Sequence, residues 1–208
     1  VLPNCTRPFV ITRTDVWTFK ALPTDARGRK TVTDPFQLIA FLYTPRMLAA
    51  MVAERPEGVA VVDDRGSTSW SELDERVRRW CGALRRHGLG QGDCVVAMLG
   101  NQVELVELSL ACLQGGWLLV PLNWHWVADE VRYVLADAGA AAVVVDTRWR
   151  GVVAEALELQ GAPEVPLQVV VGATEDLGAM CSLEELLGSG PGEELVDPSR
   201  GGPMFYTS

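Results

Sequence analysis

Residues 94–146 read CVVAMLGNQVELVELSLACLQGGWLLVPLNWHWVADEVRYVLADAGAAAVVVD, and this stretch decides the fold. Cys94–Leu99 is an unbroken apolar run bounded by the turn Gly90-Gln91-Gly92-Asp93, the pattern of a strand buried on both faces. Asn101 and Glu104 have the spacing of a helix start, and the apolar pattern continues to Gln114, where Gly115-Gly116 closes it. Trp117–Pro121 reads as a second strand. Ala128-Asp129-Glu130 opens a second helix, with Val131, Val134, Leu135 and Ala138 on its core side and two acids in the first turn to suit the helix dipole. Gly139 ends it, and Ala141–Asp146 is a third strand. Strands alternating with helices across short connections specify right-handed βαβ units. The fold class is therefore α/β, a mainly parallel sheet covered by helices on both faces.

Working outward, the pattern continues in both directions. Downstream, Val152–Leu159 predicts a helix, Leu167–Val171 a strand and Ser182–Leu187 a short capped helix. Residues 188–203 are rich in Gly, Pro and Glu and read as a linker, after which Met204–Tyr206 resumes a strand. Upstream, Ser69-Trp70-Ser71-Glu72 fits a capping box, and Trp70, Leu73, Val77, Trp80 and Leu84 recur at helical spacing as one apolar stripe. His87-Gly88 ends that helix, the histidine as a C-terminal cap residue. Val59–Val62 and Ser67–Trp70 read as a hairpin around Asp63-Asp64-Arg65-Gly66, and Met47–Val52 as a short helix before Arg55-Pro56. Residues 1–44 are interrupted by Pro3, Pro8, Pro23 and Pro35, and apart from the apolar run Phe36–Tyr43 they show no steady period. They are expected to be a poorly ordered lead-in outside the domain that starts at residue 45. Val1, where a chain normally starts with Met, reads as a cut end or an alternative start codon.

Composition narrows the function. With 208 residues the chain is one domain or slightly more, long enough to bury about 70% of its unfolded surface without a metal or disulfide. The net charge of −9 is uneven: +4 over residues 1–50, −4 over 51–150 and −9 over 151–208. An acidic chain without a basic face is a poor match for nucleic acid, where phosphate neutralisation supplies most non-specific affinity. The arginines at 76, 78, 79, 85 and 86 are partly cancelled by their neighbours Glu72, Asp74 and Glu75 and read as a solvated helix face. The five cysteines, Cys5, Cys81, Cys94, Cys112 and Cys181, are odd in number and lack C-x-x-C spacing; with only His87 and His125 beside them, no metal site is expected. Asn4-Cys5-Thr6 is formally a glycosylation sequon, yet no signal peptide and no spanning segment are read, since Glu107, Gln114, Gly115-Gly116 and Pro121 break the most apolar stretch. The expected location is the cytoplasm.

Several chemical motifs are missing: the phosphate-binding G-x-x-x-x-G-K-[ST], H-E-x-x-H and G-x-S-x-G. Gly88-Leu89-Gly90-Gln91-Gly92 precedes a strand, so it is a turn and not a dinucleotide fingerprint, which must follow a strand and open a helix. The adjacent acids Asp63-Asp64, Glu184-Glu185 and Glu193-Glu194 read as solvated loop charge. His125, between Trp124 and Trp126, follows a strand and so falls on the carboxyl edge of the sheet, where ligands bind; a packed loop residue and a ligand contact both fit it.

Four segments in order resemble the adenylate-forming enzymes, which include acyl-CoA synthetases, acid:thiol ligases and the adenylation domains of peptide synthetases. They are Ser69-Trp70-Ser71-Glu72-Leu73, Gly88–Val96, Gln114–Asn123, and Ala128–Val131 followed by Asp137-Ala138-Gly139-Ala140. Phe205-Tyr206-Thr207-Ser208 resembles the opening of the signature loop "Y-T-S-G-T-T-G-x-P-K-G" of that family. The resemblance implies that Thr207 and Ser208 contact ATP phosphates, since hydroxyls and closely approaching amides suit an anion. It also implies the N-terminal part of the family's large domain over residues 45–208.

The activity implied is carboxylate plus ATP giving acyl-adenylate and pyrophosphate, then transfer to a thiol such as that of coenzyme A. The partners implied are a fatty or aromatic carboxylic acid, ATP, Mg²⁺ and coenzyme A, all for the full-length enzyme. An anionic carboxylate must meet a polyanionic triphosphate, so a cation and a lysine are needed to offset charge. The lysine and later glycines of the loop are not in this sequence, no catalytic residue is assigned, and the 208 residues alone are expected not to form acyl-adenylates and to be poorly soluble. The alternatives are a stand-alone, non-catalytic nucleotide- or acyl-binding domain, and a piece that complements a second chain.

Overall fold

The computed structural model of the chain describes residues 9–10, 45–172, 175, 177–193 and 201–206. Thr207 and Ser208, the sequon, the apolar run 36–43, most of 1–44 and part of the expected linker, 194–200, lie outside the described residues. The chain forms two compact units, residues 1–75 with 101–103, and residues 76–100 with 104–208.

The first unit holds a three-stranded sheet of β1 (Phe9–Val10), β2 (Val59–Asp63) and β3 (Gly66–Ser69), with helix α1 (Pro45–Glu54). β1 runs parallel to β2, and β2–β3 is the expected hairpin. Asp63 shapes its turn. Its carboxylate accepts from the Arg65 amide (2.9 Å) and guanidinium (2.9 Å), and from the Val103 amide (3.3 Å). Burial pushes the Asp63 carboxyl up, but the hydrogen bonds from Arg65 and Val103 outweigh it and hold the group below its ordinary value. Val103 opens helix α3 (Val103–Gly115), so the first amide of that helix meets a carboxylate 40 residues away. Asn101 and Glu104, the expected helix start, flank this position. Helix α2 (Trp70–Arg86) begins as expected: the Ser69 amide donates to Glu72 (2.7 Å) and the Glu72 amide to Ser69 Oγ (3.2 Å). All five residues of its apolar stripe are buried. At its end His87 Nδ1 lies 2.9 Å from the Ala83 carbonyl, and Gly88 turns with φ +86°.

The second unit is built on a six-stranded sheet, ordered β8-β7-β6-β4-β5-β9 and parallel throughout. The strands are β4 (Cys94–Met98), β5 (Leu118–Pro121), β6 (Ala140–Asp146), β7 (Leu167–Val171), β8 (Cys181–Ser182) and β9 (Gly202–Pro203). The expected α/β class is therefore the observed one. Helices α4 (Ala128–Asp137) and α5 (Arg150–Glu158) pack on one face through Val131, Val134, Leu135, Val153 and Ala156 against Val96, Met98, Val143 and Val145. The β4-α3-β5 connection runs the opposite way along the sheet from β5-α4-β6, so a right-handed crossover puts α3 on the other face. Cys81 of α2 reaches the Ala111 carbonyl of α3 at 3.8 Å, which keeps those two helices together.

Three differences from the sequence reading have local causes. The ladder with Leu118 and Leu119 begins at Gly202-Pro203, ahead of the expected Met204–Tyr206, and Met204 joins it through its amide to the Leu119 carbonyl (2.8 Å); no propensity marks Gly-Pro as a strand. Helix α5 starts two residues early because Asp146 first caps a 3₁₀ turn, Thr147–Trp149. Val127 begins α4 with half a capping box: its amide donates to Glu130 (3.0 Å), but its own side chain has no oxygen to return the bond.

The connection toward β9 crosses α2. Helix α6 (Leu183–Gly188) is capped by Ser182 and Glu185 in a full capping box. Beyond it the Glu193 amide donates to the Arg78 carbonyl (3.0 Å), Arg86 to the Pro191 carbonyl (3.0 Å), and Arg85 pairs with Glu193 (3.3 Å). Two arginines of the set read as a solvated face thus hold this segment. Arg76 does something different. It spans the buried Glu107 (3.2 Å) and the exposed Glu184 (3.1 Å), and Trp80 Nε1 donates to Glu107 (3.2 Å). No described helix is long and apolar enough to cross a membrane.

Candidate functional site

Strand order reverses at β4. The chain leaves β4 for β5 on one side and leaves β6 for β7 on the other, so adjacent β4 and β6 diverge at their carboxyl ends. Connections that part in this way open a crevice, the usual ligand position in an open parallel sheet. Three loops border it: Leu99-Gly100 after β4, Leu122–Val127 after β5 and Thr147–Trp149 after β6.

The β5 loop is held by Asn123. Its side-chain oxygen accepts from the His125 amide (3.0 Å) and its carbonyl from the Trp126 amide (3.0 Å), a turn that leaves Trp124 and His125 exposed. In the β6 loop, Asp146 is buried and takes three bonds from Arg148, from the amide, Nε and Nη2, each at 2.8 Å. That fork fixes the guanidinium, which lies 4.5 Å from the centre of the Trp149 ring. Trp149 stacks on Trp124 with centroids 5.7 Å apart and planes at 23°. The Trp124 and His125 rings are 3.4 Å apart. The β4 loop can approach only because Gly100 has no side chain; a Cβ there would come 2.6 Å from Arg148 Nη2 and 3.4 Å from Trp149. The result is a row of guanidinium, indole, indole and imidazole along the carboxyl edge, suited to planar and anionic groups.

His125, singled out from the sequence, lies in this row. Arg148, Trp149, Asp146 and Gly100 were not singled out. Their signal, an Asp-Thr-Arg-Trp run at the end of a Val-rich strand, gains meaning only once β6 is known to neighbour β4. Beyond β9, Tyr206 donates its hydroxyl to Asp137, the last residue of α4, at 2.7 Å. Thr207 and Ser208, which follow, are outside the described residues. Among the described residues no group of three His, Cys, Asp or Glu side chains could hold a metal ion, so Mg²⁺ is assigned to no residue here.

The family model described as AMP-binding enzyme matches residues 48–208. The chain belongs to this family. Among its relatives, a 3-hydroxybenzoate–CoA ligase of Aromatoleum sp. (strain CIB) is 29% identical over 153 residues, 73% of this chain and 28% of the relative. A fatty acid–[acyl-carrier-protein] ligase, ScoC of Streptomyces coeruleorubidus, is 29% identical over 154 residues, again 28% of its own length. Of solved structures, a benzoate CoA ligase from Burkholderia xenovorans LB400 superposes with a TM-score of 0.59 at 28% identity, covering 74% of this chain and 28% of that one. The anthranilate CoA ligase AuaEII reaches 0.69 at 17% identity, a likeness of fold. The chain thus spans under a third of each of these four ligases, and its fold is that of the adenylate-forming ligases.

Proposed function

We propose that the polypeptide carrying this sequence activates a carboxylic acid with ATP and passes the acyl group to a thiol. In the first step a carboxylate oxygen attacks the α-phosphorus of ATP and pyrophosphate leaves. In the second a thiol, that of coenzyme A in this reading, displaces AMP from the acyl carbon. The observation that carries this reading is that the family match covers residues 48–208 and so runs through Tyr206-Thr207-Ser208. Thr207 and Ser208 are assigned to the phosphates, and the exposed His125 to the ligand side of the crevice. Mg²⁺ would offset phosphate charge when bound.

The acid is assigned to the fatty or aromatic class. The relatives support both, with 3-hydroxybenzoate and fatty acid ligases among them. Residues 45–208 are the first part of the adenylation domain in this proposal, 1–44 a lead-in and 188–203 a linker, and the location is the cytoplasm. The 208 residues alone lack catalysis, because the lysine that offsets charge in the family's loop is not among them.

Exchange of labelled pyrophosphate into ATP, driven by benzoate or a fatty acid, tests this. Acid-dependent exchange is expected from the complete gene product and none from residues 1–208. No exchange from the complete product with any acid overturns the reading. Exchange by residues 1–208 alone overturns their assigned inactivity.

A further inference from the structure

Tyr206 and Asp137 are joined across 69 residues of sequence, and nothing in the proposed chemistry uses the pair. Asp137 is the last residue of α4, whose first turn leaves the loop bearing Trp124 and His125. Tyr206 stands directly before Thr207. β9, which leads to it, is two residues long, and backbone bonds run from Gly201 to the Leu113 carbonyl (3.4 Å), from Gly202 to the Trp117 carbonyl (3.1 Å) and from Met204 to the Leu119 carbonyl (2.8 Å). Met204 and Tyr206 also pack on the core, while Phe205 between them is half exposed at 53%. An edge strand this short fixes position poorly by itself. Helix α4 has rigid packing through Val131, Val134 and Leu135, so a bond to its last residue ties the segment to a solid body.

We infer that Asp137 is a positioning residue: by accepting the Tyr206 hydroxyl it fixes the segment that leads into the phosphate-binding residues, and so tunes affinity for the triphosphate. This rests on the reading of Thr207 and Ser208 given above. A hydroxyl-to-carboxylate bond is strong and directional, so it fixes the Tyr206 side chain against the end of α4 as the short backbone ladder alone does not. The same bond accounts for the phenol: burial and then the Asp137 carboxylate push its pKa up to about 12, so Tyr206 remains a donor at neutral pH. Other groups facing the phenol include Tyr133, one turn back on α4, and Cys94 of β4.

The test uses the complete gene product with Tyr206→Phe, Asp137→Ala, the double variant, Asp137→Asn and Tyr133→Phe. Pyrophosphate exchange gives KM for ATP and for the acid. Tyr206→Phe and Asp137→Ala should each raise KM for ATP about tenfold, the factor expected for loss of one charge-assisted hydrogen bond. The double variant should be no worse than either single one, since both remove one interaction. Asp137→Asn keeps an acceptor oxygen and should stay within about twofold of the parent. Tyr133→Phe and KM for the acid should not move. Unchanged ATP KM in both single variants, or additive losses in the double, overturns the positioning role while leaving the ligase reading intact. A parent protein without exchange overturns the ligase reading, and this inference with it.

Discussion

At the scale of residues, two glycines show how the identity of the atom in the way sets the cost. A Cβ on Gly100 meets the far end of Arg148, a side chain that can swing. Gly100→Ala is expected to cost under about 1 kcal/mol in urea unfolding, the worth of an exposed cation–π contact, while changing Trp149 fluorescence as the guanidinium leaves it. A Cβ on Gly201 meets the carbonyls of Cys112 and Trp117, which are backbone and cannot yield. Gly201→Ala should cost about 1–3 kcal/mol in the same measurement, an overpacking penalty. Glu107 carries the pH dependence. Burial pushes its carboxyl up more than Arg76 draws it down, so its folded value lies above the ordinary 4.5. Its contribution to stability is therefore full below 4.5 and fades as pH rises through the folded value. Glu107→Gln should gain on the parent across that window; a pH series of urea midpoints in which the gap between them stays constant would falsify it. Of these residues only Glu107 drew notice in the sequence, as a break in the apolar stretch, and neither glycine did. Glu107 meets Arg76 from 31 positions away, and no periodicity reports such a pair.

At the scale of elements, contacts within four residues were legible and the rest were not. The capping boxes at Ser69 and Ser182 follow directly from their i,i+3 glutamates. Ser69→Ala should remove about 1 kcal/mol from α2, read as a lower urea midpoint with unchanged slope. The strands β4, β6 and β7 were legible because burial on both faces writes a continuous apolar run. β8 and β9 were not, being two residues long and fixed by neighbours instead of by their own sequence. The segment over α2 belongs with them: it lies there because Gly82 leaves room, a Cβ at that position coming 2.7 Å from the Pro191 carbonyl. Gly82→Val should lift the segment, and hydrogen exchange at the Glu193 amide, now bonded to the Arg78 carbonyl, should quicken severalfold. Unchanged protection at Glu193 would mean that the ion pairs alone hold it.

At the scale of the whole molecule, the candidate site depends on strand order more than on any motif. His125 could be noticed because it follows a strand, but Trp149 and Arg148 become its neighbours only when β6 inserts beside β4. Surface chemistry adds a further expectation. Tyr133 and Phe205 are exposed at 58% and 53%, and among the described residues no strand pairs with the outer edge of β9. Phe205→Lys should raise the concentration at which residues 1–208 remain monodisperse in light scattering, since a charge on a bare edge discourages association. The pairing of Leu118 with Gly202 also bears on time. The interior strands join partners made shortly before or after them, whereas β9 must return across the whole sheet. As the chain leaves the ribosome, the β4–β7 framework can consolidate while Gly202 has yet to be translated. The β9 edge then forms after that framework, and a nascent chain halted before Gly202 would hold β4–β7 with the outer side of β5 unpaired.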